Sequence, residues 1–417
     1  MRAIVLHPDI RGQGRRRDPA LALEEAASLA AALPRVALVG AELARLSRVA
    51  PGMLFGKGKV EEIRALVEAR QVDLVLVNGQ VSPVQQRNLE RAWKVKVLDR
   101  TALILEIFSD RAVTREGVLQ VEMAALSYQR TRLVRAWTHL ERQRGGLGFV
   151  GGPGETQIEA DRRAIDEQLV RLRRQLEKVA KTRGLHREAR ARIPFPVVAL
   201  VGYTNAGKST IFNRLTGAGV LAKDMLFATL DPTMRVVRLP NSGQDAILSD
   251  TVGFISDLPT QLVAAFRATL EEVPVADVIL HVRDISHLET EEQRGDVLAI
   301  LEGLGVGDES VVIEVWNKID LLDEDARTSL ETIASRRGNA VMISALDEIG
   351  IAPLLECIEA ALDVGRIRAV IDITHKEGRK RAWLYDQRVV VGETESETGS
   401  RIEVNWTSSQ SIRYSRL

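Results

Sequence analysis

Several features that define whole classes of protein are scarce in this 417-residue chain. It holds a single cysteine, Cys357, which excludes a disulfide framework and any metal site built from clustered cysteines. Aromatic residues make up only 4% of the chain, so a platform that stacks single-stranded bases is not expected. Lysine plus arginine and aspartate plus glutamate both total 57, and this zero net charge argues against a wholly basic packager of nucleic acid.

Long apolar runs are also missing. No stretch approaches the roughly 18 apolar residues of a membrane-spanning helix, and residues 1–20 carry charges where a secretory signal would be apolar. What the chain does have is 45% hydrophobic and 27% charged residues, which is the balance of a globular protein. At roughly 150 residues per domain, its length predicts two to four domains. Together these features predict a soluble, cytoplasmic protein without a membrane span, and we expect a monomer.

Hydrophobic patterning divides the chain into four regions. The first alternates short apolar runs with amphipathic ones, which predicts a parallel sheet covered by helices on both faces. The second region is helical, in a pattern that runs from Thr101 to about Arg192. The glycine-rich residues 145–154 break this pattern once, so we predict a helical hairpin. The third is a new α/β region, and the last is a small strand-rich α+β domain. We place these regions at residues 1–110, 111–193, 194–365 and 366–417.

The second helix of the predicted hairpin combines an apolar seam with a basic surface. Its seam has the spacing of a heptad repeat and consists of Ile158, Ile165, Leu169, Leu172, Leu176 and Val179. Residues 127–193 hold sixteen Lys and Arg against eight Asp and Glu. A solvated coiled-coil face is one explanation of this bias. In a chain of zero net charge, however, the one-sided excess favours an anionic partner such as RNA.

A glycine-rich segment after the apolar residues 197–201 has the G-x-x-x-x-G-K-S spacing of a phosphate-binding loop. Glycines let backbone N–H groups and the N-terminus of the following helix approach phosphate oxygens. The lysine of this motif places a positive charge between the β- and γ-phosphates, and the serine hydroxyl ligates Mg²⁺. The residues of the predicted loop are Gly202, Tyr203, Thr204, Asn205, Ala206, Gly207, Lys208 and Ser209.

A D-x-x-G motif follows about forty residues later, directly after another predicted strand. It consists of Asp250, Thr251, Val252 and Gly253. Here the carboxylate reaches the Mg²⁺ shell through water, and the Gly253 N–H bonds the γ-phosphate. Lys208 and Gly253 are therefore predicted to act in catalysis.

The base is predicted to be read by two later segments. They are Asn317, Lys318, Ile319 and Asp320, and then Ser344, Ala345 and Leu346. The Asp320 carboxylate accepts hydrogen bonds from guanine N1–H and the exocyclic amine, a donor pair that adenine lacks. The second segment supports guanine O6 through a backbone N–H. In this order the motifs predict a site for GTP or GDP.

A threonine that closes over Mg²⁺ when the γ-phosphate is present is expected between the first two motifs. The candidate segment consists of Phe227, Ala228, Thr229, Leu230 and Asp231, with Thr233 two residues beyond it. Thr229 is the preferred candidate for this catalytic and metal-ligating role, and Thr233 is the alternative. Either could instead be an ordinary turn hydroxyl.

The residue after the D-x-x-G motif is Phe254, where many GTPases place a glutamine that orients the attacking water. Phenylalanine can neither orient nor deprotonate water, so slow intrinsic hydrolysis is expected. A partner, a bound ion or another residue has to complete the site. Asn205 occupies a position from which a monovalent cation such as K⁺ is held in some GTPases, which makes K⁺ assistance a hypothesis.

With these residues identified, the chain resembles HflX-type GTPases of the translation-factor-related class. The resemblance covers nearly the whole chain and is most specific at residues 152–163, 202–209, 227–233 and 250–254. It implies an α/β fold in which a P-loop GTPase domain is joined to an N-terminal α/β domain, a long helical hairpin and a small C-terminal α+β domain.

The resemblance also implies partners and a biological role. It implies that the GTP-bound form binds the large ribosomal subunit and helps to split stalled or idle ribosomes under stress, with the helical region reaching ribosomal RNA. ATP use by the N-terminal region is a further family property. The local candidate, residues 56–60, lacks the spacing of a phosphate loop and favours a basic turn.

Two other functions remain open from the sequence. One is a GTPase associated with tRNA or rRNA modification, although a single cysteine and no second cofactor motif leave that chemistry without residues. The other is a non-enzymatic scaffold whose GTP site only stabilises the fold. Phosphate release by the purified protein, with and without ribosomes, distinguishes this scaffold from a nucleotide switch that hydrolyses GTP.

Overall fold

The structure is a computed structural model of the chain. It describes residues 1–10, 17–143, 153–190, 195–218, 226–227, 233–256, 270, 273–307, 310–363, 366–375, 377–387, 389–396, 399–407, 410–411 and 414–415. The strands are β1 (Arg2–Ile10), β2 (Ala37–Leu46), β3 (Leu74–Val77), β4 (Lys96–Asp99), β5 (Val197–Gly202), β6 (Thr233–Arg238), β7 (Asp245–Asp250), β8 (Val278–Asp284), β9 (Val312–Asn317), β10 (Ala340–Met342), β11 (Arg366–Thr374), β12 (Val390–Ser396) and β13 (Gly399–Thr407). The α-helices are α1 (Pro19–Ala31), α2 (Lys57–Ala69), α3 (Pro83–Trp93), α4 (Arg100–Arg111), α5 (Arg115–Gln143), α6 (Pro153–Arg190), α7 (Lys208–Thr216), α8 (Thr290–Gly303), α9 (Glu324–Arg337), α10 (Ile351–Asp363) and α11 (Gly378–Asp386).

The N-terminal sheet has the strand order β2-β1-β3-β4, and all of its pairs are parallel. Its two faces are buried by different helices, because the side chains of β1 alternate between two hydrophobic clusters. Ala3 and Val5 pack towards α1 and α4, whereas Ile4 and Leu6 pack towards α2 and α3. The predicted parallel sheet covered on both faces is therefore confirmed.

Two long helices, α5 and α6, form the hairpin. Leu169 and Leu172 of the predicted seam are buried, and Arg130 of α5 pairs with Asp166 of α6 at 2.6 Å. The prediction that the helical pattern is broken only once is wrong, because α4 ends at Arg111 and α5 begins at Arg115. A three-residue break lets α4 pack on the N-terminal sheet while α5 leaves it. Residues 144–152, which hold most of the predicted glycine break, lie outside the described part of the chain.

The second sheet has the order β10-β9-β8-β5-β7-β6, in which only β6 runs antiparallel to its neighbour. The parallel strands end at one edge of the sheet, and the predicted nucleotide motifs follow them there. Chain order reverses between β5 and β8, which is the point where doubly wound sheets bind ligands. The fold thus gathers motifs that are more than a hundred residues apart in the sequence.

One hydrophobic core is continuous from the N-terminal sheet to the second sheet. It contains residues of α1 and α4 together with the segments around the predicted nucleotide motifs. At its centre, the ring of Phe108 in α4 meets that of Phe227 edge-on, with 4.6 Å between the centroids. Val252 and Phe254 belong to the same cluster. The N-terminal helices therefore support the starts of the segments expected to respond to the γ-phosphate.

The C-terminal sheet has the order β11-β13-β12 and is antiparallel. Helix α11 covers one face, where Leu384 packs with Ile402, Val404 and Trp406. The sequence predicted a small strand-rich α+β domain here without the bounds of its individual strands or of α11. The fold class is confirmed as an α/β P-loop GTPase fold with an N-terminal α/β domain, a helical hairpin and a small α+β unit. The four residue boundaries stay a prediction.

Within the described residues, none of the helices combines the length and apolarity needed to cross a bilayer.

Candidate functional site

The predicted phosphate loop connects the end of β5 to the start of α7. A side chain could not be accommodated at either end of it. A Cβ atom at Gly202 would lie 2.2 Å from the carbonyl oxygen of Val282. Gly207 has a φ of 99°, and a Cβ there would lie 2.1 Å from Nδ2 of Asn317. The loop therefore depends on glycine for both close approach and backbone conformation.

Lys208 begins α7 and is buried, with its ammonium group donating to the carbonyl of Tyr203 at 2.8 Å. Burial lowers the pKa of Lys208 to about 8, and the Asp250 carboxylate opposes this shift. The next residue, Ser209, donates through Oγ to Oδ2 of Asp250 at 2.8 Å. The structure thus brings the lysine, the serine and the first residue of the D-x-x-G motif together.

The D-x-x-G segment lies directly on the phosphate loop. The Thr204 N–H donates to the Phe254 carbonyl at 2.7 Å, and the Phe254 N–H donates to the Gly202 carbonyl at 3.1 Å. A Cβ atom at Gly253 would lie 2.9 Å from Nζ of Lys208 and 2.8 Å from Cγ2 of Thr204. Gly253 is therefore packed against the loop beside its lysine.

The other side chains of this segment face away from the loop. Thr251 Oγ1 donates to the Leu200 carbonyl at 2.6 Å, and Val252 lies in the core shared with the N-terminal helices. Phe254 is 1% exposed in that same core. Its ring therefore serves packing, and it does not face the loop as a water-orienting side chain would.

Asn317, at the end of β9, bridges two segments of the site. Its Nδ2 donates to the Ala206 carbonyl at 2.8 Å, and its Oδ1 accepts from the Ala345 N–H at 3.0 Å. Lys318 adopts a left-handed conformation and pairs with Asp284 at 2.7 Å. Asn317 therefore fixes the spacing between the phosphate loop and the segment predicted to read the base.

Asp320 and the Ser344 segment lie on either side of this bridge. Asp320 is half-buried in a 3₁₀ turn at Ile319–Leu321, while Ile319 itself is buried in a small cluster beneath it. Ser344 is fully buried, and its Oγ accepts from the Asp347 N–H at 3.1 Å. Leu346 is 68% exposed. The backbone N–H groups of this segment are thus held at the same edge of the sheet as the Asp320 carboxylate.

The segment predicted to close over Mg²⁺ is described only at its start. Phe227 packs on Phe108 and is 2% exposed, so any nucleotide contact there must come from its backbone. Its neighbours Ala228, Thr229, Leu230 and Asp231 lie outside the described residues. Thr233, the alternative candidate, begins β6 and pairs with Asp250 in the sheet. Asn205 is exposed on the phosphate loop with a φ of 61°.

Sequence reasoning missed two groups of side chains around the site. Arg214 of α7 donates to the carbonyls of Ala345 and Leu346, at 3.2 and 3.1 Å. Tyr203 of the loop donates to Glu25 of α1 at 2.9 Å. The sequence held no sign of either contact, because the partners are separated by more than 130 residues.

A buried charged cluster lies on the α8 face of the sheet, beside the segment predicted to read the base. Glu314 accepts from Arg283, Arg294 and Trp316 at 2.8, 2.7 and 2.9 Å. Burial raises the pKa of Glu314, but the hydrogen bonds from Trp316, Arg294 and Arg283 outweigh it and lower the pKa to about 2. His281 is opposite Glu314 in the sheet, and its Nδ1 has no partner among the described residues.

We expect His281 to make the protein less stable as the solution becomes mildly acidic. Burial lowers its pKa to about 4; Glu314 opposes the shift, and Arg283, Arg294 and Lys208 reinforce it. Between pH 6.5 and 4 the unfolded chain therefore binds a proton that the folded chain excludes. Lowering the pH from 7 to 5 should reduce the free energy of unfolding by about 2 kcal/mol through this residue.

Urea unfolding of the wild type and His281→Gln at several pH values between 5 and 7 measures this contribution. The free energy of unfolding should fall less steeply with decreasing pH in His281→Gln than in the wild type, whereas His287→Gln should keep the wild-type slope. Glu314 does not interfere, because its stabilising charge is lost only as the pH falls below 4.5 towards 2. Identical slopes for the wild type and His281→Gln would contradict the expectation.

Asn317→Ala should destabilise the protein by about 2–4 kcal/mol, since it leaves the Ala206 carbonyl and the Ala345 N–H buried without their partner. Urea unfolding at pH 7 measures the change. Asn339→Ala is the control, because Asn339 is exposed and its side chain makes a long, 3.4 Å bond to the Val312 carbonyl. A change below about 0.5 kcal/mol for both variants would show that the bridge does not contribute.

The fold and this arrangement of loops define a P-loop GTPase. Three family models match consecutive parts of the chain: "GTP-binding GTPase N-terminal" at residues 21–109, "GTP-binding GTPase Middle Region" at residues 111–190, and "50S ribosome-binding GTPase" at residues 197–318. A protein of Magnetococcus marinus described as GTPase HflX is 51% identical over 85% of this chain and 81% of its own length. The GTPase HflX of Escherichia coli is 44% identical over 84% of this chain and 81% of its own length. The chain belongs to the HflX family of GTPases, and it binds and hydrolyses GTP.

A solved structure shares the fold at low sequence identity. The crystal structure described as the SsGBP and GDP complex aligns with a TM-score of 0.51 and 23% identity, covering 86% of this chain and 98% of that one. At this identity the likeness supports the architecture alone.

Proposed function

We propose that this GTPase is a nucleotide-controlled switch that associates with the large ribosomal subunit and splits stalled or idle ribosomes under stress. The observation that carries the proposal is the basic surface of α6 on a chain whose residues 197–318 match a family of 50S ribosome-binding GTPases. The exposed residues of that surface are Arg162, Arg163, Arg171, Arg173, Arg174 and Lys178. Their charge suits the phosphate backbone of ribosomal RNA.

We assign the nucleotide's phosphates to the loop between β5 and α7. Its backbone N–H groups and the N-terminus of α7 face the phosphates, and the Lys208 ammonium lies where the β- and γ-phosphates meet. A phosphate next to Lys208 favours the charged amine and so raises its pKa from about 8. Gly253 is close enough to Lys208 for its N–H to reach the same γ-phosphate.

We assign guanine to the space between Asp320 and the Ser344–Leu346 segment, at the edge of the second sheet. The Asp320 carboxylate accepts from guanine N1–H and N2–H, and the backbone N–H of Leu346 donates to O6, because that of Ala345 is already bonded to Asn317. Asn317 and Arg214 keep these groups in register with the phosphate loop through the bonds described above. Adenine cannot supply the donor pair, so it leaves the carboxylate without partners.

The residues near Lys208 also suit a magnesium ion. Ser209 Oγ and the Asp250 carboxylate are hard oxygen donors only 2.8 Å apart, and Mg²⁺ prefers such ligands together with phosphate oxygens and water. We propose that Ser209 ligates it directly, that Asp250 acts through water and that Thr229 is the second direct ligand. The ion supplies neutralisation of the charge shared between the β- and γ-phosphates.

The chain's own residues can bind and orient GTP but lack a group that orients water at position 254. Phe254 is held in the core by the hydrogen bonds of its backbone to the phosphate loop. Intrinsic hydrolysis is therefore expected to be slow until a partner completes the site. If the ribosome completes the site, it speeds GTP hydrolysis, and hydrolysis in turn ends the complex. This fits a cycle in which the protein splits the ribosome and is then released.

A monovalent ion is one candidate for this completion. Asn205 stands exposed on the phosphate loop, where its side chain can help to hold K⁺ beside the phosphates. We expect GTP turnover of the purified protein to be faster in K⁺ than in Na⁺ buffer of equal ionic strength, and Asn205→Ala to remove the difference. Equal turnover in the two buffers would exclude K⁺ assistance.

Sedimentation with separated ribosomal subunits tests the ribosomal proposal. With a nonhydrolysable GTP analogue the protein should pellet with the large subunit, and with GDP or no nucleotide it should pellet less. Reversing two charges on α6, Arg171→Glu with Arg174→Glu, should weaken the association at least about tenfold at moderate salt. The matched control reverses Arg327 and Arg336 on α9, of which Arg336 is exposed and Arg327 has a side chain that is 41% exposed.

Two results would overturn the proposal. One is the absence of association with either subunit in every nucleotide state. The other is equal weakening by the α6 pair and the α9 pair, which would mean that charge acts nonspecifically. Splitting is tested separately, by mixing the GTP-loaded protein with whole ribosomes and measuring the fraction that separates into subunits.

A further inference from the structure

The carboxyl edge of the N-terminal sheet is occupied by the GTPase part of the chain. In that sheet, chain order reverses between β1 and β3, and doubly wound sheets bind their ligands at such a point. Asn78 follows β3 there, and Arg100 follows β4. Arg100 donates to Asn78 at 2.7 Å, and it also bonds Glu25 of α1 and Ser256, which lies three residues after Gly253.

Five side chains form a connected cluster at this place, which we call the Glu25 network: Arg17, Glu25, Arg100, Tyr203 and Ser256. Arg100 donates to both the carbonyl and the hydroxyl of Ser256 at 2.8 Å, and it also bonds Glu25. Ser256 Oγ donates to Glu25 at 2.7 Å, and Tyr203 donates to Glu25 at 2.9 Å. Arg17 completes the cluster with a 3.0 Å bond to the Tyr203 hydroxyl.

The cluster is well shielded from water. The side chains of Arg100 and Glu25 are 8% and 14% exposed. Burial raises the pKa of Glu25, but Arg100, Ser256 and Tyr203 outweigh that effect, so the pKa lies below its ordinary value. Hydrogen bonds to charged groups are strongest where water is excluded. The Glu25 network is therefore a firm attachment of the Gly253–Ser256 segment to the N-terminal helices.

That attachment, together with the backbone bonds of Phe254 to Gly202 and Thr204, holds Gly253 close to Lys208. Between Gly253 and Ser256 the chain has only two residues, and Phe254 and Ile255 are both buried in the shared core. A single carbon added to Gly253 would already lie 2.9 Å from Nζ of Lys208. On the phosphate assignment made above, a γ-phosphate enters between Gly253 and Lys208 and presses the segment away from the loop, whereas a diphosphate ends before that gap.

We propose that Glu25 and Arg100 set the discrimination between guanosine diphosphate and triphosphate, because they hold the Gly253–Ser256 segment against the phosphate loop. This inference rests on the position of the γ-phosphate assigned under the proposed function. The triphosphate has to strain or break the Glu25 network to enter, and the diphosphate leaves it intact. By linkage, triphosphate binding loosens the N-terminal helices from the GTPase part by the same free energy.

Binding measurements on the full-length protein test the proposal. The quantity is the ratio of the dissociation constants for GDP and for a nonhydrolysable GTP analogue, each measured by titration calorimetry with Mg²⁺ present. Ser256→Ala and Glu25→Gln should each shift this ratio about tenfold in favour of the triphosphate analogue. Glu24→Gln is the matched control, because Glu24 lies next to Glu25 on α1 but is exposed, and it should leave the ratio unchanged.

A double-mutant cycle measures whether the two effects on the ratio of dissociation constants are additive, and general destabilisation of the protein does not change this additivity. Ser256→Ala combined with Glu25→Gln should shift the ratio less than the sum of the single effects, since both changes break one network. If Glu25→Gln does not fold, the ratio measured for Ser256→Ala tests the proposal by itself. That variant is expected to fold, because the substitution removes one hydroxyl and no charge.

An unchanged ratio in Ser256→Ala, or a shift in favour of GDP, would overturn the proposal. Lys208→Ala, measured alongside, tests the phosphate assignment separately. If it binds both nucleotides as tightly as the wild type, the phosphate site is wrong. If it loses the nucleotides while Ser256→Ala keeps the wild-type ratio, only the role of the Glu25 network fails.

Discussion

Lys208→Ala is expected to lower the kcat for GTP hydrolysis by about 10²–10³-fold and to weaken GTP binding as well. The side chain is buried at the start of α7 with its ammonium group 2.8 Å from the Tyr203 carbonyl. Phosphate release under saturating GTP, together with calorimetric affinities, gives the two effects separately.

The control for this change is Lys57→Ala, because Lys57 is an exposed lysine that also begins a helix, α2. It should hydrolyse GTP at the wild-type rate. Far-UV circular dichroism and urea unfolding check that Lys208→Ala is folded, since removing a buried lysine also removes a desolvated charge. A folded Lys208→Ala protein with wild-type affinity and turnover would mean that the loop does not hold the phosphates.

Asp320→Asn is expected to weaken GDP binding by about a hundredfold and to improve the binding of xanthosine diphosphate. In the proposed site the carboxylate accepts from guanine N1–H and N2–H, whereas the amide of asparagine presents one donor and one acceptor. That pair matches xanthine, which carries a carbonyl in place of the guanine amine. Competition between labelled GDP and unlabelled GDP, xanthosine diphosphate and ADP measures the change.

Asp325→Asn provides the comparison for this prediction, because Asp325 is exposed on α9 five residues beyond Asp320. It should bind GDP like the wild type. ADP should compete poorly with every variant, since adenine offers no donor pair to either side chain. Equal competition by ADP and GDP against the wild type would show that Asp320 does not read the base.

Local sequence motifs predicted which chemical groups the site contains better than they predicted the tertiary contacts that hold those groups together. The spacing of Gly202, Gly207 and Lys208 follows from what a phosphate loop needs, so it could be recognised without a structure. The helix seam at Leu169 and Leu172 was likewise visible, because heptad spacing is a local property of one helix. The two ends of the α4–α5 break were not visible, since both helices have helical patterns and only their packing on different partners separates them.

Contacts between distant parts of the chain could not be predicted. The bonds from Arg100 and Glu25 to Ser256 join residues that are 156 and 231 positions apart. The same holds for Phe108 and Phe227, whose edge-on packing places the start of the segment predicted to close over Mg²⁺ on an N-terminal helix. Nothing in the composition or periodicity of either partner reports such a pairing, because any buried aromatic or paired arginine has the same local pattern.

What the sequence by itself determined is the set of motifs from which a guanine-nucleotide site is predicted and the alternation of strands and helices that carries them. Those properties are local, since hydrogen-bond donors, glycine conformations and side-chain periodicity depend on a few neighbouring residues. The tertiary structure alone decided that Gly253 lies beside Lys208 and that Ser256 is held by Glu25 and Arg100. The physical reason is that burial removes these charges from water only when both sheets pack together, so their bonds exist in the folded chain and in no segment of it.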